Sequence, residues 1–360
     1  MKRALIAMSG GVDSSVAALA MVRDGWECAG CTMRLFDNAD AGLSPGRTCC
    51  SLEDVEDARS VAFRLGMPYH VFNYTREFRR EVMERFVRAY RRGETPNPCL
   101  DCNRYMKFDL LLRRAEVLGF DVLVTGHYAR ITFSEGRYHL RKALDKNKDQ
   151  SYVLYMLSQT QLARLRLPLG ELTKPEVRAM AEEALFRNAE KRDSQDICFV
   201  PDGDHPAMIR RFTGEELRPG NFVDRDGRIL GCHRGIECYT VGQRRGLGIP
   251  HGERLYVCAI RPENNTVVLG PEEALLTREV CTARFHWIAG EAPVGPVRGA
   301  AKVRYRQKEQ PVTLFPLPDG GARLVFDEPL RAPAPGQAAV VYRGDEVLGG
   351  GIISIPCVSR

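Results

Sequence analysis

The segment Ser9-Gly10-Gly11-Val12-Asp13-Ser14-Ser15 lies between a short apolar run, Ala4–Met8, and a helical pattern over Ser14–Arg23. No other stretch restricts the fold as strongly. Glycines let the backbone turn with its amides exposed, and the helix N-terminus that follows adds partial positive charge. Such a loop can cradle phosphate. The Lys-Ser/Thr ending of a kinase-type P-loop is missing here. The plainer alternative is a tight strand-to-helix turn with an N-cap serine.

Beyond the loop come a strand-like run Glu27–Phe36, a helix from about Leu52 to Leu65 closed by Gly66, and a strand Tyr69–Asn73. Helices over Arg76–Arg91 and Asn103–Leu118 and a strand over Val122–Thr125 follow. Strands separated by helices imply βαβ units and a parallel sheet. A capping-box pattern, Thr173-Lys174-Pro175-Glu176, opens a further helix. After about Asp202, Gly and Pro become frequent and short β-type runs take over, such as Leu255–Ile260, Ala301–Tyr305 and Ala338–Tyr342. The expected fold is α/β: a Rossmann-like domain over 1–202, a small central domain over 203–277 and a C-terminal β-barrel over 278–360.

The apolar stretch before the glycine loop is too short for a signal peptide, and no apolar run reaches the ~18 residues of a membrane span. Secreted, membrane and disordered classes are therefore set aside, and a cytoplasmic protein is expected. The formal charge of +6 is carried by 43 Arg against nine Lys. Arginine suits bidentate phosphate contact, although genome composition produces the same bias.

Twelve cysteines in such a chain point to thiol, metal or redox chemistry. Cys28 and Cys31 fall in one predicted strand at odd spacing, so their side chains face opposite ways and read as buried hydrophobes. Cys49-Cys50 reads as structural. Thr95-Pro96-Asn97-Pro98-Cys99-Leu100-Asp101-Cys102-Asn103 differs, because prolines and asparagine place its cysteines in a rigid loop ahead of a helix from Asn103. That helix N-terminus is expected to lower the thiol pKa. Cys198 lies in a second polar loop, Asp193–Cys198. A catalytic site, a structural zinc site and a dithiol redox pair all fit these residues.

The glycine loop looks like the pyrophosphatase loop of enzymes that cleave ATP to AMP and pyrophosphate, the adenine nucleotide alpha hydrolase-like group. Nearly end to end, the chain resembles the tRNA-specific 2-thiouridylases. The match includes Thr95–Asn103, Thr125-Gly126-His127-Tyr128-Ala129-Arg130, Lys148-Asp149-Gln150-Ser151-Tyr152, Tyr239–Gly248 and Arg304-Tyr305-Arg306. The resemblance implies that Ala7, Met8, Ser9, Gly10, Gly11, Val12, Asp13, Ser14, Met33 and Gly126 bind ATP, with Mg2+. It implies that Asn97, Pro98 and Cys99 meet the target base, and that Lys148, Asp149, Gln150, Arg304 and Tyr305 contact tRNA. Cys102 and Cys198 match the family's nucleophile and persulfide carrier, which can form a disulfide with each other.

Better-known members carry aspartate where this chain has Cys99. Three thiols at one site resemble other tRNA thiolation enzymes, in which three cysteines hold a [4Fe–4S] cluster, and soft thiolates suit one. The expectation is a cluster on Cys99, Cys102 and Cys198, with a Cys102/Cys198 persulfide relay as the alternative. The implied partners are a tRNA with a wobble uridine and a sulfur donor, whether a cysteine desulfurase, a sulfur carrier or free sulfide, with no membrane or DNA. Two basic stretches, the arginines of Arg76–Arg92 and Arg141–Lys148, are candidates for RNA backbone contact. Paired Glu–Arg contacts on a solvated face are the alternative for the first. Asp101 reads equally as a base or a loop-capping carboxylate, His127 as a hydrogen-bonded structural residue, and Gly242–Gly248 as a turn-rich segment near the RNA.

Overall fold

A computed structural model of the chain describes residues 1–37, 52–192, 197–200, 202–249 and 253–354. Cys49 and Cys50, and most of the loop before Cys198, lie outside the described residues. The first half builds a five-stranded parallel sheet from β1 (Arg3–Ala7), β2 (Glu27–Arg34), β3 (Tyr69–Asn73), β4 (Val122–Val124) and β7 (Leu165–Arg166), in the order β3-β2-β1-β4-β7. Its central strands are apolar on both faces, as a sheet covered on both sides requires. Leu5, Ala29, Cys31 and Leu123 feed one core, and Ala4, Ile6, Cys28, Val122 and Val124 feed the other. Strand alternation thus sends Cys28 and Cys31 to opposite faces. Burial pushes the Cys28 thiol up to about 11 and Cys31 higher still.

The chain runs outward from β1 through β2 to β3, then returns to lay β4 on the other side of β1. The connection reverses between β1 and β4. In open α/β sheets, ligands bind in the crevice outside the carboxyl ends of the strands at such a switch point. The glycine loop leaves β1 there, and Gly126 follows β4.

The helix expected from Asn103 begins five residues earlier. Pro98 occupies its first turn, and the Asn97 side chain caps it by accepting the Cys99 N–H at 3.1 Å. Proline breaks a helix interior but suits the first helical position, where its missing N–H has no partner to lose. Cys99 and Cys102 therefore sit in the opening turns of a helix over 98–117, not in a loop before it. The helix widens to π geometry over Cys102–Leu111. The helix over 75–91 widens likewise at Arg79–Met83.

Beyond residue 202 a helix, His205–Thr213, appears where no helical periodicity was read. Asp204 caps it and Gly214, left-handed, ends it. Gly220–Val223, Ile229–His233, Tyr256–Arg261 and Thr266–Gly270 form a four-stranded sheet. The last part is an antiparallel barrel, closed where Leu276–Thr282 pairs with Glu346–Ser354. A hairpin from the first half, β5 (Ala129–Ser134) and β6 (Arg137–Lys142), extends the same sheet through Arg141 opposite Glu346. Arg130 and Arg141 both reach Asp345, at 2.8 and 2.7 Å, and Lys142 reaches Glu309 at 2.7 Å. Arg141 and Lys142, read as RNA-binding, are struts between hairpin and barrel.

Candidate active site

The loop geometry requires its glycines. Gly10 has φ +77°, and a Cβ there would fall 2.3 Å from the Asp54 carbonyl oxygen. Gly11 precedes helix Val12–Arg23 as its cap. Ser14 folds the loop onto itself, accepting the Ser9 N–H at 3.2 Å and donating to the Gly11 carbonyl at 3.0 Å. Met8, Val12 and Ser14 are buried, while Ser9 is exposed and Gly11 and Asp13 are half-buried. Ala7 and Met33 stand at the carboxyl ends of β1 and β2, and Met8 donates to the Cys31 carbonyl at 2.8 Å. A Cβ on Gly126 would lie 2.8 Å from both the Asp13 carbonyl carbon and the Ser14 nitrogen. The residues that the resemblance assigns to ATP thus cluster at the carboxyl ends of β1, β2 and β4.

Four side chains to which the sequence analysis gives no role in ATP binding surround the loop. The Tyr128 hydroxyl and the Lys174 ammonium each donate to Asp13 Oδ1 at 2.7 Å. Asn188 donates to the Gly10 carbonyl at 2.8 Å and the Ser15 hydroxyl at 3.0 Å. Lys191 bridges Asp54 and Asp57 at 2.6 and 2.7 Å. Lys174 was visible only as part of a capping box, which is present, with the Thr173 N–H donating to Glu176 at 2.7 Å. Two ammonium groups beside a glycine loop that opens a helix suit a polyanionic ligand.

The cysteine helix packs beside Gly126, its Phe108 ring 5.7 Å from the His127 ring. Asn97 is half-buried and Pro98 buried, and the segment before them is tied to the barrel: Thr95 donates to the Pro335 carbonyl and accepts from Gln337, both at 2.7 Å. Cys99 is exposed at the surface. Desolvation by the surrounding groups nevertheless raises its thiol pKa, against the opposing charge of Lys107. That desolvation outweighs the lowering expected from a helix N-terminus. Desolvation also pushes the Tyr305 phenol up to about 12, with Asp149 and Cys99 adding to the effect. The Tyr305 hydroxyl donates to the Asp149 carbonyl at 3.3 Å.

The other residues assigned to tRNA divide by exposure. The Asp149 carboxylate faces inward and accepts from the Ala143 and Ser151 N–H groups at 3.1 and 3.2 Å. Gln150 accepts the Tyr128 N–H at 2.9 Å. Arg304 donates to the Val241 and Ala332 carbonyls, beside Gly242. Lys148 is half-buried, and Arg244 and Arg245 are exposed in a segment of turns. On the 75–91 helix, Arg80 and Arg85 share Glu81 at 2.8 and 3.2 Å, whereas Arg76 and Arg88 are exposed.

Cys102 and Cys198 are both half-buried and pack against one core. Cys198 sits in a turn closed by the Val200 N–H on the Ile197 carbonyl at 2.8 Å. The next residue, Phe199, anchors that turn, its buried ring edge-on to Phe78 at 5.8 Å and Phe86 at 5.2 Å. Among the described residues no three His, Cys, Asp or Glu side chains gather to hold a metal, so Cys99, Cys102 and Cys198 do not stand together as a ligand set. Desolvation pushes Asp101 up to about 6 despite Arg85 and Arg104. His127 is buried and its Nδ1 lies 2.7 Å from the Thr125 hydroxyl. No helix among the described residues is long and apolar enough to cross a membrane.

Family models match in three consecutive pieces: a tRNA methyl transferase HUP domain over 2–202, a tRNA methyl transferase PRC-barrel domain over 207–271 and an aminomethyltransferase beta-barrel domain over 277–353. The tRNA-specific 2-thiouridylase MnmA of Acetivibrio thermocellus is 48% identical over 98% of this chain and 99% of its own. The same-named proteins of Chloroflexus aurantiacus and Carboxydothermus hydrogenoformans are 48% and 46% identical, covering 100% and 98% of this chain and 100% and 97% of their own. A solved 4-thiouridine synthetase–RNA complex with bound ATP overlaps 59% of this chain and 53% of its own at 20% identity and a TM-score of 0.36, too distant to add to these matches. By its sequence matches along almost the whole length, the chain belongs to the tRNA-specific 2-thiouridylase MnmA family.

Proposed function

We propose that the protein is a cytoplasmic enzyme that replaces the 2-oxygen of the wobble uridine in a tRNA anticodon with sulfur, at the expense of ATP. In this reading residues 1–202 carry the chemistry, while 203–277 and 278–360 hold the RNA. The observation that carries it is the apposition of Gly126 to the backbone of Asp13 and Ser14 at the switch point, with the cysteine helix opening beside the barrel.

ATP lies on Ala7–Ser14, Met33 and Gly126, with Asp13 as the carboxylate for Mg2+ and Lys174 and Lys191 as cations for the phosphates. Asn97, Pro98 and Cys99 meet the uridine. Anticodon bases are already unpaired, so extrusion costs little. The uridine O2 attacks the α-phosphorus, the bond to the β-phosphate oxygen breaks, and pyrophosphate leaves. Lys148, Tyr305 and the exposed arginines hold the RNA.

The sulfur route supported by the packing is a relay. The terminal sulfur of a Cys198 persulfide, charged by the donor, attacks C2 and expels AMP. The Cys102 thiolate then attacks Cys198 Sγ, releasing 2-thiouridine and leaving a Cys102–Cys198 disulfide for an external thiol to reduce. Cys99, a third thiol on the Cys102 helix, favours a second reading in which the three cysteines hold a [4Fe–4S] cluster that presents sulfide. As placed, the thiols are not gathered and Cys99 is held toward its protonated form. This donor set does not fit a cluster.

The test is thiolation of an anticodon stem-loop by anaerobically purified protein. The Cys102→Ala and Cys198→Ala variants lose 2-thiouridine while keeping tRNA-dependent pyrophosphate release; unchanged thiolation by Cys102→Ala refutes the assignment. Iron-free protein that stays fully active, with Cys99→Asp active too, supports the relay. Iron bound through all three cysteines and required for turnover supports the cluster.

A further inference from the structure

The segment 145–151 touches both the barrel and the glycine-loop domain. On the barrel side, the Tyr305 hydroxyl donates to the Asp149 carbonyl at 3.3 Å, and the Lys302 ammonium lies 3.7 Å from Asp149 Oδ2. On the other side, Gln150 grips the backbone of Tyr128 twice. Its own N–H donates to the Tyr128 carbonyl at 2.8 Å, and its Oε1 accepts the Tyr128 N–H at 2.9 Å. Tyr128 is buried, and its hydroxyl ends on Asp13 Oδ1 at 2.7 Å. A second line starts at Asp145, whose Oδ2 accepts the Lys174 N–H at 3.1 Å, while the Lys174 ammonium reaches the same Asp13 Oδ1 at 2.7 Å. Two lines of hydrogen bonds thus leave one segment and converge on one carboxylate oxygen of the glycine loop.

The Tyr128 N–H needs an acceptor once buried, and a glutamine that did only this would be structural. Gln150 has more to offer, because its planar amide carries an acceptor and two donor hydrogens as one rigid body. The residue is half-buried, and its Nε2 makes no hydrogen bond among the described residues. An RNA oxygen that takes Nε2 would fix the plane in which Oε1 holds Tyr128. We propose that Gln150 is a positioning residue for Asp13, acting through Tyr128, so that an anticodon seated on Lys148, Gln150 and Tyr305 sets the carboxylate assigned to the ATP site. The inference rests on the proposed function and deepens it: RNA and nucleotide each strengthen the other's binding through this segment. Sites coupled in this way change one another's affinity by about 5–150-fold, and the factor is the same in both directions.

The test measures binding of α,β-methylene ATP with and without an anticodon stem-loop, and of the stem-loop with and without the analogue, in wild type, Gln150→Leu, Tyr128→Phe and the double variant. Wild type shows a mutual tightening of about tenfold. Tyr128→Phe binds the stem-loop alone as wild type does, since the buried ring cannot meet RNA, yet its tightening falls to near unity. Gln150→Leu loses the tightening as well, and the double variant loses no more than either single one, as members of one line should. Should Gln150→Leu fold poorly, Tyr128→Phe, which removes only an oxygen, decides alone. A glutamine that merely touched RNA would weaken stem-loop binding equally with and without the analogue and leave the tightening intact; that result overturns the inference, and so does a Tyr128→Phe protein that tightens like wild type. Absence of tightening in a wild-type protein that forms 2-thiouridine removes the inference alone. If wild type forms no 2-thiouridine, the functional reading falls and takes the inference with it.

Discussion

Gly126→Ala tests whether the crevice between β1 and β4 is the nucleotide site. The new Cβ would stand 2.8 Å from the Asp13 carbonyl carbon and the Ser14 nitrogen, and 3.0 Å from the Asp13 oxygen. All three are backbone atoms, so no side-chain rotation relieves the contact. Reaching ordinary contact at 3.4 Å demands a shift of about 0.6 Å between the segment after β4 and the glycine loop. Overpacking of this kind costs about 1–3 kcal/mol, so the melting temperature falls by a few degrees. The catalytic cost is larger, because binding constellations tolerate only about 0.5 Å of error and a 1 Å misplacement costs about a hundredfold. Tenfold to hundredfold weaker ATP use is expected in tRNA-dependent pyrophosphate release. Binding of the anticodon stem-loop, measured without ATP, stays unchanged. A folded Gly126→Ala protein with wild-type ATP affinity and turnover would refute the placement of the nucleotide.

Three further outcomes follow from the same geometry. Asp101 is raised to about 6 by desolvation, so the native state holds its proton more tightly than the unfolded chain. Its contribution is complete below about pH 4 and is lost as pH rises through about 6; urea titrations should therefore show Asp101→Asn gaining on wild type over that window, by at most about 2–3 kcal/mol. Phe199→Ala removes the wedge beneath the Cys198 turn, costing about 3–5 kcal/mol, and alkylation followed by peptide mapping should find Cys198 reacting faster while Cys99 does not. Lys174→Met removes the ammonium from Asp13 Oδ1 and leaves it the Tyr128 hydroxyl, costing about 1–3 kcal/mol and weakening ATP binding about tenfold in calorimetry; unchanged affinity would place Lys174 outside the nucleotide site.

The first sheet was legible because its signals are local. Apolar runs such as Ala4–Ile6 and Val122–Val124 are buried on both faces, and the helices between them carry recognisable ends. The Asn97-Pro98 junction misled because the same proline that forbids a helix interior favours a helix start, and only the chain's path decides between them. The hairpin 129–142 was missed for another reason. Its alternation is blurred by basic residues whose partners, Asp345 and Glu309, lie far along the chain. The same distance hid Lys174, Asn188 and Lys191, which no spacing connects to the glycine loop. Their role exists only once helix Lys174–Glu183 and the turn after it fold back over that loop.

The hairpin β5–β6 decides how this chain can be divided. It is held to the barrel by Arg130, Arg141 and Lys142, and by His139 against Glu346 at 2.6 Å. A fragment ending at residue 202 would keep the glycine loop but leave these side chains without their acidic partners and β6 with an open edge, a template for association between copies. A barrel fragment would in turn carry Asp345, Glu346 and Glu309 with nothing to answer them. The first half of the chain and the barrel are therefore not interchangeable modules. Replacing one barrel with another would succeed only if the donor brought its own carboxylates in register with this hairpin.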